Sequence, residues 1–228
     1  MPTPVNIQTS MWCWLKRFSP IFFMLLFMGC KSGNMIQSGN KIYPEKWQIP
    51  IEAALSHYPE LQHVRIEFRE RIRIVPLATR PSWFSLLKPH LKRTYLITIS
   101  RKSIPMLTPI LLENLSPKAQ IGVIGHELAH VADMKRFRFW GFLKHGFRYT
   151  FSGSYGDTFE FQTDSLCIEH GLGFELLAWS VEVRQKLGST QFFQEKSKSQ
   201  KQERYMNPET ILKQMKKKDF VLADSLKQ

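Results

Sequence analysis

The chain has 228 residues, a formal net charge of +13, and a composition of 43% hydrophobic, 13% aromatic and 22% charged residues. This length accommodates one medium-sized domain with a hydrophobic core, or one domain and a tail. The composition excludes a low-complexity or fully disordered chain. The basic charge favours an anionic partner, such as a membrane surface or an envelope polymer.

The amino-terminal residues have the pattern of an export signal. Lys16 and Arg17 precede an apolar run at residues 21–28, which is too short to cross a bilayer comfortably, since about 20 apolar residues are needed. Residues 27–30, Phe-Met-Gly-Cys, resemble a bacterial lipobox. That resemblance implies a lipidated Cys30 and a membrane-anchored lipoprotein of the cell envelope, facing the periplasm or the exterior. A plain signal peptide or an uncleaved anchor is the alternative.

The cysteines and the basic charge bear on other classes of chemistry. If Cys13 leaves with the signal and Cys30 carries lipid, Cys167 has no partner for an intrachain disulfide. We expect Cys167 to be a small buried residue rather than a catalytic thiol, because its predicted helix offers no activating base. We expect no nucleic-acid partner, because export and the absence of a recognisable motif oppose one.

The next part of the chain predicts a short helix and several strands. Residues 51–58 are a helix candidate, and residues 63–68 and 72–75 alternate apolar and polar side chains, which predicts strands with one solvated face. Residues 81–89 are predicted to be a loop or a helical turn. Residues 95–99, rich in β-branched and aromatic side chains, form the strongest strand candidate.

The stretch at residues 116–136 contains an HExxH motif. Positions i and i+4 of a helix stack on one face, so His126 and His130 can offer two imidazole nitrogens to one Zn²⁺. Glu127 lies about 100° round the helix and can reach a metal-bound water. The motif is therefore typical of a metal hydrolase, provided that this stretch is helical.

Local signals favour that helix. Ser116 is a good N-cap and Pro117 suits the first helical position. Gly122 and Gly125 each lower helix propensity by about 1 kcal/mol, which indicates the close approach of another backbone. A single apolar stripe predicts a buried face made of Ile121, Ile124, Leu128 and Val131.

Basic and aromatic residues are interleaved after this helix. The segment 135–151 carries Phe137, Phe139, Trp140, Phe142, Phe147, Tyr149 and Phe151 among Lys135, Arg136, Arg138, Lys144 and Arg148. This pattern predicts an element lying on an anionic lipid leaflet. The alternative is that the aromatic residues belong to the core or to a lid over a cleft.

A second helix is predicted at residues 157–171, with Asp157 as its N-cap. Glu160 and Asp164 then share one face at i and i+4, where two carboxylates repel by about 0.2–0.5 kcal/mol on an exposed helix. A bound cation would reverse the sign of that interaction. Alternatively, Glu160 forms a capping box with Asp157, and Asp164 is solvated.

HExxH followed on a later helix by Glu160-x-x-x-Asp164 resembles the gluzincin metallopeptidases. The resemblance implies that Glu160 is the third zinc ligand and that Asp164 accepts a hydrogen bond from the ring of His126. It also implies an exported zinc metallopeptidase in which Glu127 is the general base for hydrolysis of a peptide or protein substrate. Metzincins are excluded, because Asp133 and Arg136 stand where their glycine and third histidine would be.

The order of three strands followed by the motif helix also resembles the small catalytic half of gluzincins. It implies that residues 94–99 form an edge strand that pairs with the main chain of an extended peptide. An ordinary interior strand is the alternative.

Three acidic residues are weaker candidates for the third ligand, namely Asp133, Asp157 and Glu169. The residue that stabilises an oxyanion stays open among His145, Tyr149, Tyr155 and His170.

The predicted fold class is α+β, with a small sheet of three or slightly more strands packed on the HExxH helix and a helical C-terminal half. Predicted domains are a signal peptide at 1–29, a flexible tether at 30–43, a metallopeptidase-like domain at 44–190, and a basic connector with a final helix at 191–228. The alternative function is a catalytically inactive, peptidase-like envelope lipoprotein that acts as a binding or assembly module.

Overall fold

The computed structural model describes residues 34–89, 92–188 and 203–225, with side chains as far as residue 218. These ranges belong to one compact unit. The predicted signal peptide, Cys30 and most of the predicted basic connector lie outside the described residues.

Five strands form one mixed sheet. Its strands are β1 (Met35–Ser38), β2 (Lys41–Pro44), β3 (Arg65–Ile72), β4 (Leu77–Pro81) and β5 (Thr94–Lys102). Their spatial order is β1-β2-β3-β5-β4, in which β3 runs parallel to β2 and to β5, and both outer strands run antiparallel to their neighbours. The α+β class is confirmed, with a larger sheet than the three strands that the sequence predicts most simply.

The prediction that residues 94–99 form an edge strand is wrong. β5 pairs with β3 along one side and with β4 along the other, so the outer strands are β1 and β4. The physical reason is that Tyr95, Leu96 and Ile97 are consecutive residues of β5 and that all three side chains are buried. A strand that buries both faces belongs inside a sheet, whereas a solvated edge strand alternates.

Two short strands occupy residues predicted as a flexible tether. β1 and β2 pair through a turn in which Gly39 has a φ of 56°, a conformation that favours glycine. Lys41 donates hydrogen bonds of 2.8 and 2.7 Å to the carbonyls of Leu61 and Val64, which hold β2 on the fold. The tether prediction is therefore wrong for residues 35–43, because the polar composition there conceals a short strand pair.

The described residues contain six α-helices. They are α1 (Gln48–Leu55), α2 (Pro117–Met134), α3 (Phe139–Phe151), α4 (Gly153–Glu169), α5 (Gly173–Lys186) and α6 (Pro208–Ser225). Of these, α1 and α2 pack on the sheet. Helix α2 is central, since it packs on α1, α4, α5 and β4. Its predicted apolar face is confirmed, because Ile124, Leu128 and Val131 are fully buried. Within the described ranges, none of the helices has the length and apolar character needed to span a membrane.

The described C-terminal residues, from 203 onward, pack into the same hydrophobic core as α2. Met206 and Ile211 are buried in the same apolar cluster as α2, and α6 packs on α4 and α5. Asn207 accepts a hydrogen bond of 2.8 Å from the amide of Thr210, so it caps the N-terminus of α6. The described residues beyond position 190 are therefore part of the same fold that holds the HExxH helix.

Candidate metal centre

The HExxH motif lies in the middle of α2, and the helix that the sequence predicts there is confirmed. Ser116 caps the helix, its hydroxyl accepting a hydrogen bond of 3.3 Å from the amide of Ala119. The apolar stripe buries one side of α2 against the sheet and α1. His126 and Glu127 are also buried, which is possible for such polar groups only when they have partners.

Helix α4 brings the carboxylates of Glu160 and Asp164 to the motif. It begins at Gly153, one turn earlier than predicted, with Ser152 rather than Asp157 as its N-cap. Asp157 thus lies inside the helix and accepts a hydrogen bond of 3.3 Å from Arg204. The capping box between Asp157 and Glu160 does not form, and the side chain of Glu160 points at α2 instead.

Glu160 joins both histidines of the motif. Its Oε2 atom lies 3.3 Å from Nε2 of His126 and 3.3 Å from Nε2 of His130. Three ligand atoms, one from each residue, lie within 4.8 Å of one another. Tetrahedral bonds of about 2.0–2.1 Å to a zinc ion place ligand atoms about 3.3–3.4 Å apart, so the spacing suits a small cation.

The same oxygen supplies an independent argument for a cation. Oε2 of Glu160 is buried and has no hydrogen-bond partner among the described residues. An unpartnered carboxylate oxygen in an apolar interior is costly, and buried charges are normally paired or bind metals. The three side chains therefore fit a metal ion.

His126 is oriented by the second carboxylate of α4. Its Nδ1 lies 2.8 Å from Oδ1 of Asp164, which confirms the predicted contact. Burial lowers the pKa of His126, but the hydrogen bond to Asp164 and the negative charges of Asp164 and Glu160 outweigh it and raise the pKa to about 10. When the Nδ1–H group of His126 donates a hydrogen bond to Asp164, the Nε2 lone pair is available to a metal. The other oxygen of Asp164 accepts a hydrogen bond of 2.8 Å from the amide of Met206.

Tyr149 and Arg204 hold the outer oxygen of Glu160. The hydroxyl of Tyr149 donates a hydrogen bond of 2.5 Å to Oε1 of Glu160, and Arg204 donates one of 2.9 Å to the same hydroxyl. Burial and the negative charge of Glu160 raise the pKa of Tyr149 above its usual range. Although burial opposes ionisation, the two histidines keep the pKa of Glu160 well below its usual range.

The motif glutamate is held from the edge of the sheet. Thr79 of β4 donates a hydrogen bond of 2.6 Å from its hydroxyl to Oε2 of Glu127. The negative charge of Glu127 also contributes to the raised pKa of Tyr149. Sequence patterns do not mark Thr79 or Arg204, because both reach the centre from segments remote in the chain.

The other oxyanion candidates have hydrogen-bond partners outside the group of His126, His130 and Glu160. His170 binds Glu60 at 2.9 Å and stacks on Tyr58, with a ring separation of 4.2 Å, so it is not a candidate donor to a reacting group. His145 binds the hydroxyl of Tyr155 at 2.9 Å. Of the four oxyanion candidates, only Tyr149 has a hydrogen bond to the candidate metal-binding cluster formed by His126, His130 and Glu160.

The alternative ligands and the remaining cysteine also lie outside the cluster. Asp133 and Glu169 line a separate cleft of about 270 Å³ with Arg136. Asp157 forms an ion pair with Arg204. Cys167 is buried and free, as predicted. Burial raises the pKa of its thiol, which opposes a nucleophilic role.

The two glycines of α2 serve different contacts. A Cβ added to Gly122 would lie 2.1 Å from the carbonyl oxygen of Glu175 in α5, which confirms the predicted close approach of a backbone. At Gly125 the near neighbours are the side chains of Leu172 and Cys167, at 2.4 and 3.3 Å. Gly122 thus allows α5 to pack on α2 beside the histidines, and Trp179 of α5 lies 5.5 Å from the ring of His126.

Comparison of the chain with protein-family models, curated proteins and solved structures finds no match. The resemblance to gluzincins therefore depends on the HExxH motif, Glu160 and Asp164, and on the cluster that these residues form.

Proposed function

We propose that this protein is a zinc-dependent metallopeptidase, exported and anchored to the cell envelope through a lipid on Cys30. The observation that carries the proposal is the position of Glu160, whose unpartnered oxygen lies 3.3 Å from Nε2 of both motif histidines. Asp164 already pairs with Nδ1 of His126, so a second buried carboxylate shared between the Nε2 atoms of both histidines favours a bound cation. A purely structural pair of histidines would also not need the buried Glu127 beside them.

The proposed ligands are His126, His130 and Glu160. Three protein ligands with nitrogen and oxygen donors leave a fourth position for water, which is the arrangement of catalytic rather than structural zinc sites. When bound, zinc lowers the pKa of its water towards neutrality and polarises the carbonyl of a scissile bond. Cys167 lies outside the cluster, so the donor set contains no thiolate.

Glu127 is the proposed general base. It takes the proton of the attacking water and passes it to the leaving amine. Thr79 occupies Oε2 of Glu127 with a hydrogen bond of 2.6 Å, which leaves Oε1 to accept the proton. Thr79 is therefore a positioning residue, and its loss should lower the rate without removing the metal ligands.

Tyr149 is the favoured donor to the tetrahedral intermediate among the four candidates. Its pKa is raised by burial and by Glu160, so the phenol keeps its proton at neutral pH and can donate a hydrogen bond. In this structure that proton is donated to Glu160. Donation to a developing oxyanion requires that Tyr149 release this hydrogen bond to Glu160.

The outer side of β4 offers a place for an extended peptide. β4 pairs with β5 on one side only, and within the described ranges no strand pairs with its other side. β4 also packs on α2 and carries Thr79 beside Glu127. We therefore assign to β4 the strand-addition mode of substrate binding that the sequence resemblance placed at residues 94–99.

The proposal is tested with the full chain purified in detergent, loaded with zinc and incubated with a broad peptide library. Glu127→Gln should retain zinc and lose hydrolysis, whereas His130→Ala should lose both. Glu169→Gln is the matched control, because Glu169 is an exposed residue of α4 outside the cluster. Full hydrolytic activity in Glu127→Gln would refute the proposed base.

The same experiment addresses the alternative of an inactive binding module. A zinc-loaded wild-type protein that cuts no member of the library, but still binds peptides or a partner protein, would favour that alternative. Hydrolysis that survives complete removal of the metal would exclude the metal-dependent peptidase and the inactive binding module alike.

A further inference from the structure

Helix α3 has an apolar face that no described part of the protein covers. Trp140, Phe147 and Phe151 are 76%, 65% and 68% exposed. The opposite face of α3 is the packed one, since His145 is buried and Tyr149 reaches Glu160. The exposed aromatic rings are therefore not needed to hold the helix on the fold.

A second exposed apolar group lies in the connection between β4 and β5. Trp83, Phe84 and Leu87 are 66%, 94% and 85% exposed. The connection itself is anchored, because Ser85 is buried and its hydroxyl donates hydrogen bonds to the carbonyls of Ser82 and Thr94. The three apolar side chains are thus held outside an ordered turn.

Arg93, near the end of the connection, contacts the start of α3. It is buried, it donates a hydrogen bond of 2.8 Å to the carbonyl of Phe137, and its guanidinium lies 6.0 Å from the ring of Phe142 in α3. One residue at the end of the connection thus fixes the start of α3. We name the two exposed groups together, Trp83, Phe84, Leu87, Trp140, Phe147 and Phe151, the apolar-basic face.

The sequence segments that carry this face have charges of one sign. Residues 71–112 and 134–156 contain no aspartate or glutamate. The exposed cations of these segments include Lys88, Lys92, Arg138, Lys144 and Arg148. Exposed aromatic residues among cations, without any acidic neighbour in sequence, favour a partner that is both apolar and anionic.

We propose that the apolar-basic face docks on the surface of an anionic lipid bilayer. The aromatic side chains enter the boundary between headgroups and acyl chains, and the lysines and arginines meet the phosphates. Each cation near such a surface strengthens binding about five-fold. Because the inner side of α3 carries Tyr149, this docking holds the metal-binding cluster close to the membrane surface.

The proposal is independent of the metal and of peptidase activity. None of the six apolar residues belongs to the metal-binding cluster. It also differs from anchoring through Cys30, since it concerns the orientation of the folded domain. An experiment must therefore report on the face itself, because an anchor would hold every variant on a vesicle.

Quenching of tryptophan emission by lipids with brominated acyl chains gives such a local signal. The full chain is reconstituted in phosphatidylcholine vesicles with or without phosphatidylglycerol. Quenching in the anionic vesicles should fall in Trp83→Phe and in Trp140→Phe. It should not fall in Trp47→Phe, the control, because Trp47 is buried and donates to Glu70. Unchanged quenching in both Trp83→Phe and Trp140→Phe would overturn the proposal and leave a protein partner as the occupant.

A charge-reversal pair tests the electrostatic part. Lys144→Glu with Arg148→Glu should remove most of the Trp140-dependent quenching in anionic vesicles. Lys216→Glu with Lys217→Glu makes the same change of net charge on exposed positions of α6 and should remove little. Equal losses from the two pairs would show that net charge, rather than this face, governs the contact, and would contradict the proposal. Circular dichroism of each variant verifies that it is folded.

Discussion

The hydroxyl of Tyr149 donates a hydrogen bond of 2.5 Å to Oε1 of Glu160, while Oε2 of the same carboxylate faces the two motif histidines at 3.3 Å. The two oxygens of one side chain therefore have different tasks. One is held by the protein, and the other is left for a cation. Arg204 supports this division through its own hydrogen bond to Tyr149.

Removal of this hydroxyl should weaken metal binding. Tyr149→Phe leaves Oε1 of Glu160 without its short hydrogen bond, and loss of such an outer partner costs about 10–100-fold in metal affinity. Competition with a chromophoric chelator measures the change. Tyr155→Phe is the control, because its hydroxyl binds His145 and not Glu160. Equal zinc affinity in the two variants would show that Tyr149 does not position the ligand.

Asp164 should affect both the metal and the C-terminal segment. Asp164→Asn weakens the hydrogen bond that orients His126 and should lower zinc affinity by about 10–100-fold. Its second oxygen accepts from the amide of Met206, so the variant should also speed proteolysis near residues 203–206. Chelator competition and limited proteolysis measure the two effects. A variant in which both stay at the wild-type level would contradict the role assigned to Asp164.

The glycines of α2 should differ in their tolerance of alanine. Gly122→Ala places a methyl group 2.1 Å from a backbone oxygen of α5 and should destabilise the fold by about 3 kcal/mol or more. Gly125→Ala meets the flexible side chain of Leu172, which can shift, so its cost should be smaller. Urea unfolding of the two variants measures the difference. A Gly125→Ala variant that is less stable than Gly122→Ala would contradict the backbone contact.

The metal-free protein should lose stability at alkaline pH. The pKa of His126 is raised from 6.5 to about 10 by Asp164 and Glu160, against the effect of burial. A raised pKa in the folded state contributes stability that is complete below pH 6.5 and is lost as the pH rises towards 10. Zinc should reverse this trend, because it binds the neutral imidazole and competes with the proton. Urea unfolding across this range, with and without zinc, measures both slopes. A metal-free protein with constant stability over the range would rule out the buried charge pair.

Local patterns predict the parts of the centre that lie within one helix. The spacing of His126 and His130 is set by the helical repeat, and the same repeat places Glu160 and Asp164 on one face. The signals for α2 at Ser116 are local as well. These residues could be read from the sequence because no knowledge of the tertiary packing is needed to relate them.

Contacts between distant segments could not be read in this way. Thr79 reaches Glu127 across 48 positions, and Arg204 reaches Asp157 across 47. Strand order is equally non-local, so the sequence resemblance predicts an edge strand at residues 94–99 although the consecutive apolar residues 95–97 suit an interior strand. The early start of α4 also depends on packing against α3. The ring of Tyr155 contacts the ring of His145, and the guanidinium of Arg148 lies over the Tyr155 ring at 4.3 Å.

The most direct test of the metal centre is the zinc content of the purified full chain, measured by elemental analysis after dialysis. We expect one zinc ion per chain in the wild type and in Glu127→Gln, and a large loss in His126→Ala, His130→Ala and Glu160→Ala. Wild-type zinc content in Glu160→Ala, with loss instead in Asp133→Asn or Glu169→Gln, would contradict the assigned ligands.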